Sequence, residues 1–167
     1  MIRRSASLAT LAAALALTAC AKKAPQDLPP PPADQSGPTA PTTAGPVPGS
    51  QQDFVASVTS DTIHFDTDES VVRDQDKAIL QSQAQWLARY PNKRITIEGH
   101  ADERGTRDYN IALGERRANE TKNYLASLGV DPSRMSTISY GKERPIALGS
   151  DEANWAQNRR AVTVTVQ

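Results

Sequence analysis

The 167-residue chain predicts an α/β sandwich, with strands and helices in the order β-α-β-α-β-β and the helices packed on a mixed sheet. Two observations carry that prediction. From about residue 61 onward, short runs with period-two alternation are interleaved with longer stretches whose small and apolar residues recur every three or four positions. Pro91, Gly99 and Gly129 also punctuate changes of period, each ending one element before the next begins.

The first strand is Asp61-Thr-Ile-His-Phe65, alternating polar and apolar. Leu80, Ala84 and Leu87 form the stripe of a helix over 73–90, which Pro91 closes. In Arg94-Ile-Thr-Ile-Glu98, Ile95 and Ile97 alternate with polar residues until Gly99 breaks the pattern. Asn110 is a good N-cap, and Gly114, Ala118, Thr121, Leu125 and Leu128 follow at helical spacing, so the second helix is expected over 110–128, stopped by Gly129 with Asp131-Pro132 beyond. Met135–Tyr140 is a weaker strand. Ala161–Val166 is a clear one, with its three valines on one face, and a short helical turn is expected near Glu152–Trp155.

The regions before the sandwich read differently. Arg3 and Arg4 precede a Leu/Ala stretch from Leu8 to Leu17 that ends in Thr18-Ala19-Cys20, a secretory signal peptide too short to span a membrane. Cys20 is the only cysteine. Leu17-Thr-Ala-Cys20 resembles the bacterial lipoprotein cleavage box, so residues 1–19 are expected to be removed and Cys20 to become the acylated first residue, anchored on a membrane. Residues 20–52 are rich in Pro, Ala, Thr, Gln and Gly and hold nine of the twelve prolines. Such a segment cannot bury a core, and as an extended tether of roughly thirty residues at about 3.1 Å each it would reach on the order of 90 Å. Residues 53–167 suffice for one compact domain.

Charge excludes one class of partner. The chain has 19 basic and 19 acidic side chains, and removing residues 1–19 takes Arg3 and Arg4 but no acid, leaving 17 against 19. A chain so close to neutral gives no argument for nucleic acid.

The densest chemistry lies in Glu98–Ala118, a block of charge between a strand and a helix. If a right-handed crossover joins the first two strands, they run parallel and their C-terminal ends open on one edge of the sheet, where ligands of open α/β sheets bind. Asp66 and Asp68 follow the first strand, and His100, Asp102 and Glu103 the second. Helical side chains lean towards the N-terminus, so Arg117 is placed to reach back towards Asp102. A carboxylate and a guanidinium near a helix start can receive a zwitterion, with Arg forking a carboxylate and Asp taking an ammonium. The same pair also reads as a structural ion pair that orders the loop, and Asp68 as a turn residue. Arg104, Arg107 and Arg116 read as a solvated cationic rim, and Trp86 and Trp155 as packing residues.

Gly99-His-Ala-Asp-Glu-Arg-Gly105 followed by Asn110-x-x-Leu113-Gly114-x-x-Arg117-Ala118 resembles the peptidoglycan-binding motif of the outer-membrane-protein-A C-terminal domain family. Phe65-Asp-x-Asp68, Ser139-Tyr-Gly-Lys-Glu143 and Asn158-Arg-Arg160 match as well, and the likeness spans about 61–166. The resemblance implies that Asp102 and Arg117 bind the free ammonium and carboxylate of diaminopimelate in the peptidoglycan stem, with Asp68 lining the pocket and Asn110, Leu113, Gly114 and Ala118 shaping it. Gly114 stands where many members have Ser, and Thr67 where near relatives carry an aromatic. With the lipobox and tether, the resemblance implies an outer-membrane lipoprotein facing the periplasm that ties the membrane to the wall. It further implies the β-propeller protein of the Tol system (TolB) as a partner, with a role in membrane integrity and division.

Two other classes compete with this reading. His100-x-Asp102-Glu103 suggests a metal hydrolase, but the only other histidine is His64, and no zinc-ligand spacing, nucleophile elbow, Cys-His pair or phosphate loop is present. Asp66-Thr-Asp68-Glu69 lacks the glycine and later ligands of a calcium loop. The chain is therefore expected to be no enzyme and to use no metal or cofactor. The remaining alternative is a periplasmic protein-interaction module with little wall binding.

Overall fold

The computed structural model describes residues 45–166. The signal peptide, Cys20 and the tether up to residue 44 lie outside the described residues. The elements are α1 (Gln51–Ser57), β1 (Thr62–His64), α2 (Asp74–Arg89), β2 (Arg94–His100), α3 (Arg107–Ser127), β3 (Met135–Gly141), α4 (Glu152–Asn158) and β4 (Arg160–Val166), with a 3-10 turn at Pro132–Arg134. The six elements expected from periodicity are all present, and the turn near Glu152 is the short helix α4. Among the described residues, no helix is long and apolar enough to cross a membrane.

The four strands form one mixed sheet in the order β1-β4-β2-β3. β4 runs antiparallel to both β1 and β2, so those two are parallel to each other although β4 lies between them. β3 pairs parallel with β2. The C-terminal ends of β1, β2 and β3 and the N-terminal end of β4 therefore share one edge, which is what the crossover argument requires of the site.

Only one sheet face carries the helical layer. Ile63, Ile95, Ile97, Met135 and Ala161 join Leu80, Trp86, Leu87, Ala118 and Leu125 in one buried cluster. Thr163 faces inward too, its hydroxyl bonded to Gln83 of α2 at 2.8 Å. The three valines of β4 do share a face, but it is the other one, with Thr96, Ser136 and Ile138. Ile138 and Val166 stay exposed there, and Val162 and Val164 are half-buried.

The helix α1 was not anticipated. It opens at Gln51, inside the segment whose composition reads as tether. Ser50 caps it by accepting from Asp53 N–H, while the Asp53 carboxylate accepts from Gly49 N–H at 2.9 Å and from Trp86 Nε1–H at 3.1 Å. Phe54 is fully buried, edge-on to Trp86 with ring centroids 4.9 Å apart. Trp86 is thus a packing residue, as expected.

The start of α3 corrects another expectation. Asn110 is not its N-cap. Thr106 caps the helix, its hydroxyl accepting from Tyr109 N–H, and Asn110 lies buried one turn in. The C-terminus ends as expected: Gly129 (φ +94°) allows Gly129 N–H to reach Ala126 O and Val130 N–H to reach Leu125 O, which satisfies the last carbonyls and seats Val130 on the core.

α3 crosses β2 at a contact between backbones. A Cβ on Gly99 would lie 1.8 Å from Gly114 O, and one on Gly114 would lie 2.4 Å from Ser139 Oγ and 2.8 Å from Gly99 O. This approach sets the depth of α3 on the sheet and so the position of Arg117, one turn further on. Gly114→Ala is expected to destabilise the domain by about 1–3 kcal/mol through overpacking. Combining it with Ser139→Ala should cost less than the sum of the single changes, because Oγ is one of the atoms struck. Urea unfolding of the four proteins in the cycle measures this, and strict additivity would locate the crowding elsewhere.

Candidate functional site

The shared edge gathers the loop after β1, the loop after β2, the first turns of α3 and the junction of α4 with β4. Arg117 is at the centre and has no exposed surface. A buried guanidinium needs acceptors, and here main-chain carbonyls supply them. Nε–H donates to Glu69 O at 2.8 Å, Nη1–H to His100 O at 2.8 Å and Nη2–H to Asp66 O at 3.1 Å. One side chain on α3 thereby fastens the loops after β1 and β2. Phe65 lies beneath, its ring 5.2 Å from the guanidinium carbon.

Asp102 and Arg117 are neighbours but do not pair. Asp102 is buried, and its ion pairs are with Arg104 (2.7 Å) and Arg159 (3.5 Å). Arg117 therefore holds a positive charge matched only by carbonyl dipoles, with no carboxylate at ion-pair distance among the described residues. Burial, with Arg159 nearby, lowers its pKa to about 10, and Asp102 and Asp68 pull it back up; it stays charged at neutral pH. A guanidinium has five N–H groups, so two remain beyond the three carbonyl bonds.

Arg104 is exposed on the rim, as expected, but it is tied there rather than free. Its Nη2–H donates to Asp102 Oδ2 at 2.7 Å, and its Nε–H and main-chain N–H both reach Oδ1 at 3.1 Å. Nη2 also lies 3.4 Å from Thr67 Oγ1, and the guanidinium sits 4.2 Å from the centre of the Trp155 ring. Trp155, half-buried, is thus a platform for an arginine, its Nε1–H fixed on Glu103 at 2.9 Å. Arg107 and Arg116 do stand on the rim, the first paired with Glu143 at 3.3 Å and the second exposed near Tyr109.

Asp68 is exposed and has φ +58°, the only positive φ on a non-glycine residue among the described residues. Aspartate tolerates this conformation better than most residues, and it turns the loop after β1 back towards Arg117. The charge of Asp68 is felt at both Arg117 and Arg104. Asn110 shapes the site by donating from Nδ2 to Arg104 O at 2.7 Å. Leu113 and Ala118 are buried beside Arg117 on α3, and Gly114 sets that helix's depth.

Arg159 enters the sequence analysis only within the matching run Asn158-Arg-Arg160, with no role of its own. It is buried, with Nε–H on Phe65 O at 3.1 Å and Nη2–H on Glu152 at 2.6 Å, besides its contact with Asp102. The available signal was two consecutive arginines at the start of an apolar strand, where charge needs buried partners. His100 serves through its main chain: its carbonyl binds Arg117, while its ring stacks on Tyr140 and lies 3.7 Å from Glu98. Burial, with Arg160 and Arg144 close by, drops its pKa to about 3 and keeps it neutral. Among the described residues, no three His, Cys, Asp or Glu side chains converge to hold a metal ion.

A four-stranded mixed sheet with helices on one face, and an arginine-centred polar site at the strand ends, defines a class that sequence comparison names. Residues 64–159 match the OmpA family, and the chain belongs to it. It is similar to proteins that carry the name peptidoglycan-associated lipoprotein. That from Agrobacterium fabrum is 53% identical over 98% of this chain and 89% of its own length, and that from Rhizobium meliloti is 54% identical over the same shares. The crystal structure of the peptidoglycan-associated lipoprotein from Burkholderia pseudomallei is 46% identical, with a TM-score of 0.64, over 68% of this chain and all of that one.

Burial alone would raise the Asp102 carboxyl, but hydrogen bonds from Arg104, with Arg159 beyond, outweigh it and hold the pKa below the ordinary 3.8. A lowered folded-state pKa adds stability that is complete above the unfolded value and lost as pH falls through the folded one. Melting temperature is therefore expected to fall below about pH 4 in the wild type, and Asp102→Asn should flatten that part of the acid limb. An unchanged acid limb in the variant would assign the loss to other carboxylates.

Proposed function

We propose that this protein is a lipid-anchored, non-enzymatic protein that binds peptidoglycan non-covalently and tethers the outer membrane to the wall from the periplasmic side. The observation that carries the reading is the placement of a buried carboxylate, Asp102, beside a buried guanidinium, Arg117, that has no carboxylate at ion-pair distance among the described residues. A zwitterion fits that arrangement: its ammonium goes to Asp102 and its carboxylate to Arg117, with Asp68 at the rim. The names of the relatives support peptidoglycan as the source of the zwitterion, and diaminopimelate in the stem has the two charges on one side-chain end.

In this reading residues 1–19 are the signal peptide and Cys20 is the acylated residue. Residues 20–52 act chiefly as reach, and the domain from residue 53 onward makes the contact. The chain acts within the Tol-Pal system, supporting membrane integrity and invagination at division. The β-propeller protein TolB docks at the same edge and competes with the wall for it.

Binding to purified sacculi tests the site. Diaminopimelate-type wall is expected to bind better than lysine-type wall, because lysine lacks the second carboxylate. Loss of a desolvated charge contact in Asp102→Ala or Arg117→Ala should weaken binding by roughly 2–5 kcal/mol. Asp68→Asn keeps a residue tolerant of positive φ while removing the charge, and should weaken binding less. Thermal melting confirms that each variant is folded. Folded variants that bind both wall types like the wild type would eliminate this site.

The anchor is tested separately. Cys20→Ser should leave the domain's melting temperature unchanged and move the exported protein from the membrane to the soluble periplasmic fraction. Retention in the membrane would sink the lipobox assignment.

A further inference from the structure

The ammonium position on Asp102 is already filled. Arg104 holds both oxygens of that carboxylate, at 2.7 and 3.1 Å. Its side chain then runs across the mouth of the site, touching Thr67 of the loop after β1 and resting on Trp155 of α4. It is also far more accessible than the groups it meets at the charged centre: its side chain is 38% exposed, against 9% for Asp102 and 6% for Arg159. Asp102, Arg117 and Arg159 are fixed by burial, whereas Arg104 can swing into solvent by rotating its own side chain.

We propose that Arg104 is the specificity-determining residue of this site, a built-in cation that any ligand ammonium must displace from Asp102, so that only a ligand bringing its own carboxylate completes the exchange. The inference rests on the binding reading above. When a plain ammonium replaces Arg104, one cation takes the place of another on the same carboxylate, and the forked hydrogen bonds of a guanidinium give way to those of a point charge. The exchange returns nothing, and it loses the stacking on Trp155 as well. A zwitterion differs because its carboxylate arrives with its ammonium. That carboxylate meets the unneutralised Arg117 and the released Arg104, so every charge in the site ends with a partner. Rejection of mono-cationic side chains thus comes from the competitor on Asp102, in addition to any contact that favours the correct ligand.

Arg104→Gln separates this role from ordinary ligand contact. Muropeptides of the diaminopimelate type and of the lysine type are titrated against the membrane-purified protein in detergent, with melting temperature recorded for each variant. In the wild type the diaminopimelate form should bind more tightly. Removing the charged competitor should tighten the lysine form about tenfold and the diaminopimelate form by less, because its carboxylate also loses Arg104 as a partner, so that the preference shrinks. Arg104→Lys, which keeps the charge and loses the fork, should fall between the two. Equal weakening of both ligands in Arg104→Gln, or an unchanged ratio, overturns the inference while leaving the site intact. A wild type with no preference between the muropeptides overturns the site reading itself, and Arg104's role with it.

Discussion

A guanidinium without solvent must find acceptors in the fold, and the way Arg117 finds them organises this domain's functional edge. It has no carboxylate at ion-pair distance among the described residues, so it takes carbonyls at residues 66 and 69 in the loop after β1 and at residue 100 at the end of β2, segments that are far apart in sequence. Each of those loops would otherwise need its own local structure to hold position. One residue on a long helix replaces that with three charge-assisted hydrogen bonds, each stronger than a neutral one. The loops after β1 and β2 are therefore parts of a single arrangement. Its geometry depends on how deeply α3 sits, which Gly99 and Gly114 fix by backbone contact.

The electrostatic consequence is a site built from alternating charges, with one gap in the sequence. Glu152 at the surface meets the buried Arg159, Arg159 meets the buried Asp102, and Asp102 meets Arg104, which is exposed again. Arg117 stands next to this chain without joining it. Carbonyl dipoles make its burial tolerable, yet they do not cancel its charge, and the potential left over attracts an anion. Asp68, in a backbone conformation few side chains adopt, adds a second local departure from what is easiest for the chain, and both departures face the same edge.

Packing divides the sheet into two unlike faces. The helix-covered face is buried, and even its inward threonine, Thr163, is bonded to Gln83. The opposite face presents threonine, serine and the β4 valines to solvent. The three valines read as a strand face from sequence, but periodicity identifies only that residues share a side. Which side meets the helices is decided by β4's insertion between β1 and β2, and by α2 and α3 crossing on one side.

Sequence by itself determined the elements and their order, because alternation, helical spacing, Gly129 and Pro91 are local signals that act within a few residues. It also determined which end of the sheet carries the chemistry, since parallel β1 and β2 must end together. It was silent on α1, whose seven residues hold through Phe54 on Trp86 and Asp53 on the same indole, contacts that bridge about thirty residues. It placed the cap of α3 at Asn110 because Asn is a good cap anywhere, whereas burial gave that side chain a different acceptor at Arg104. Above all it brought Asp102 and Arg117 together without their actual partners. Those partners are Arg104 and Arg159 for Asp102, and for Arg117 two carbonyls in the loop after β1 and one at the end of β2. A side chain's charge is legible in the sequence, but the group that satisfies it is a matter of three-dimensional neighbours, which only the closed fold supplies.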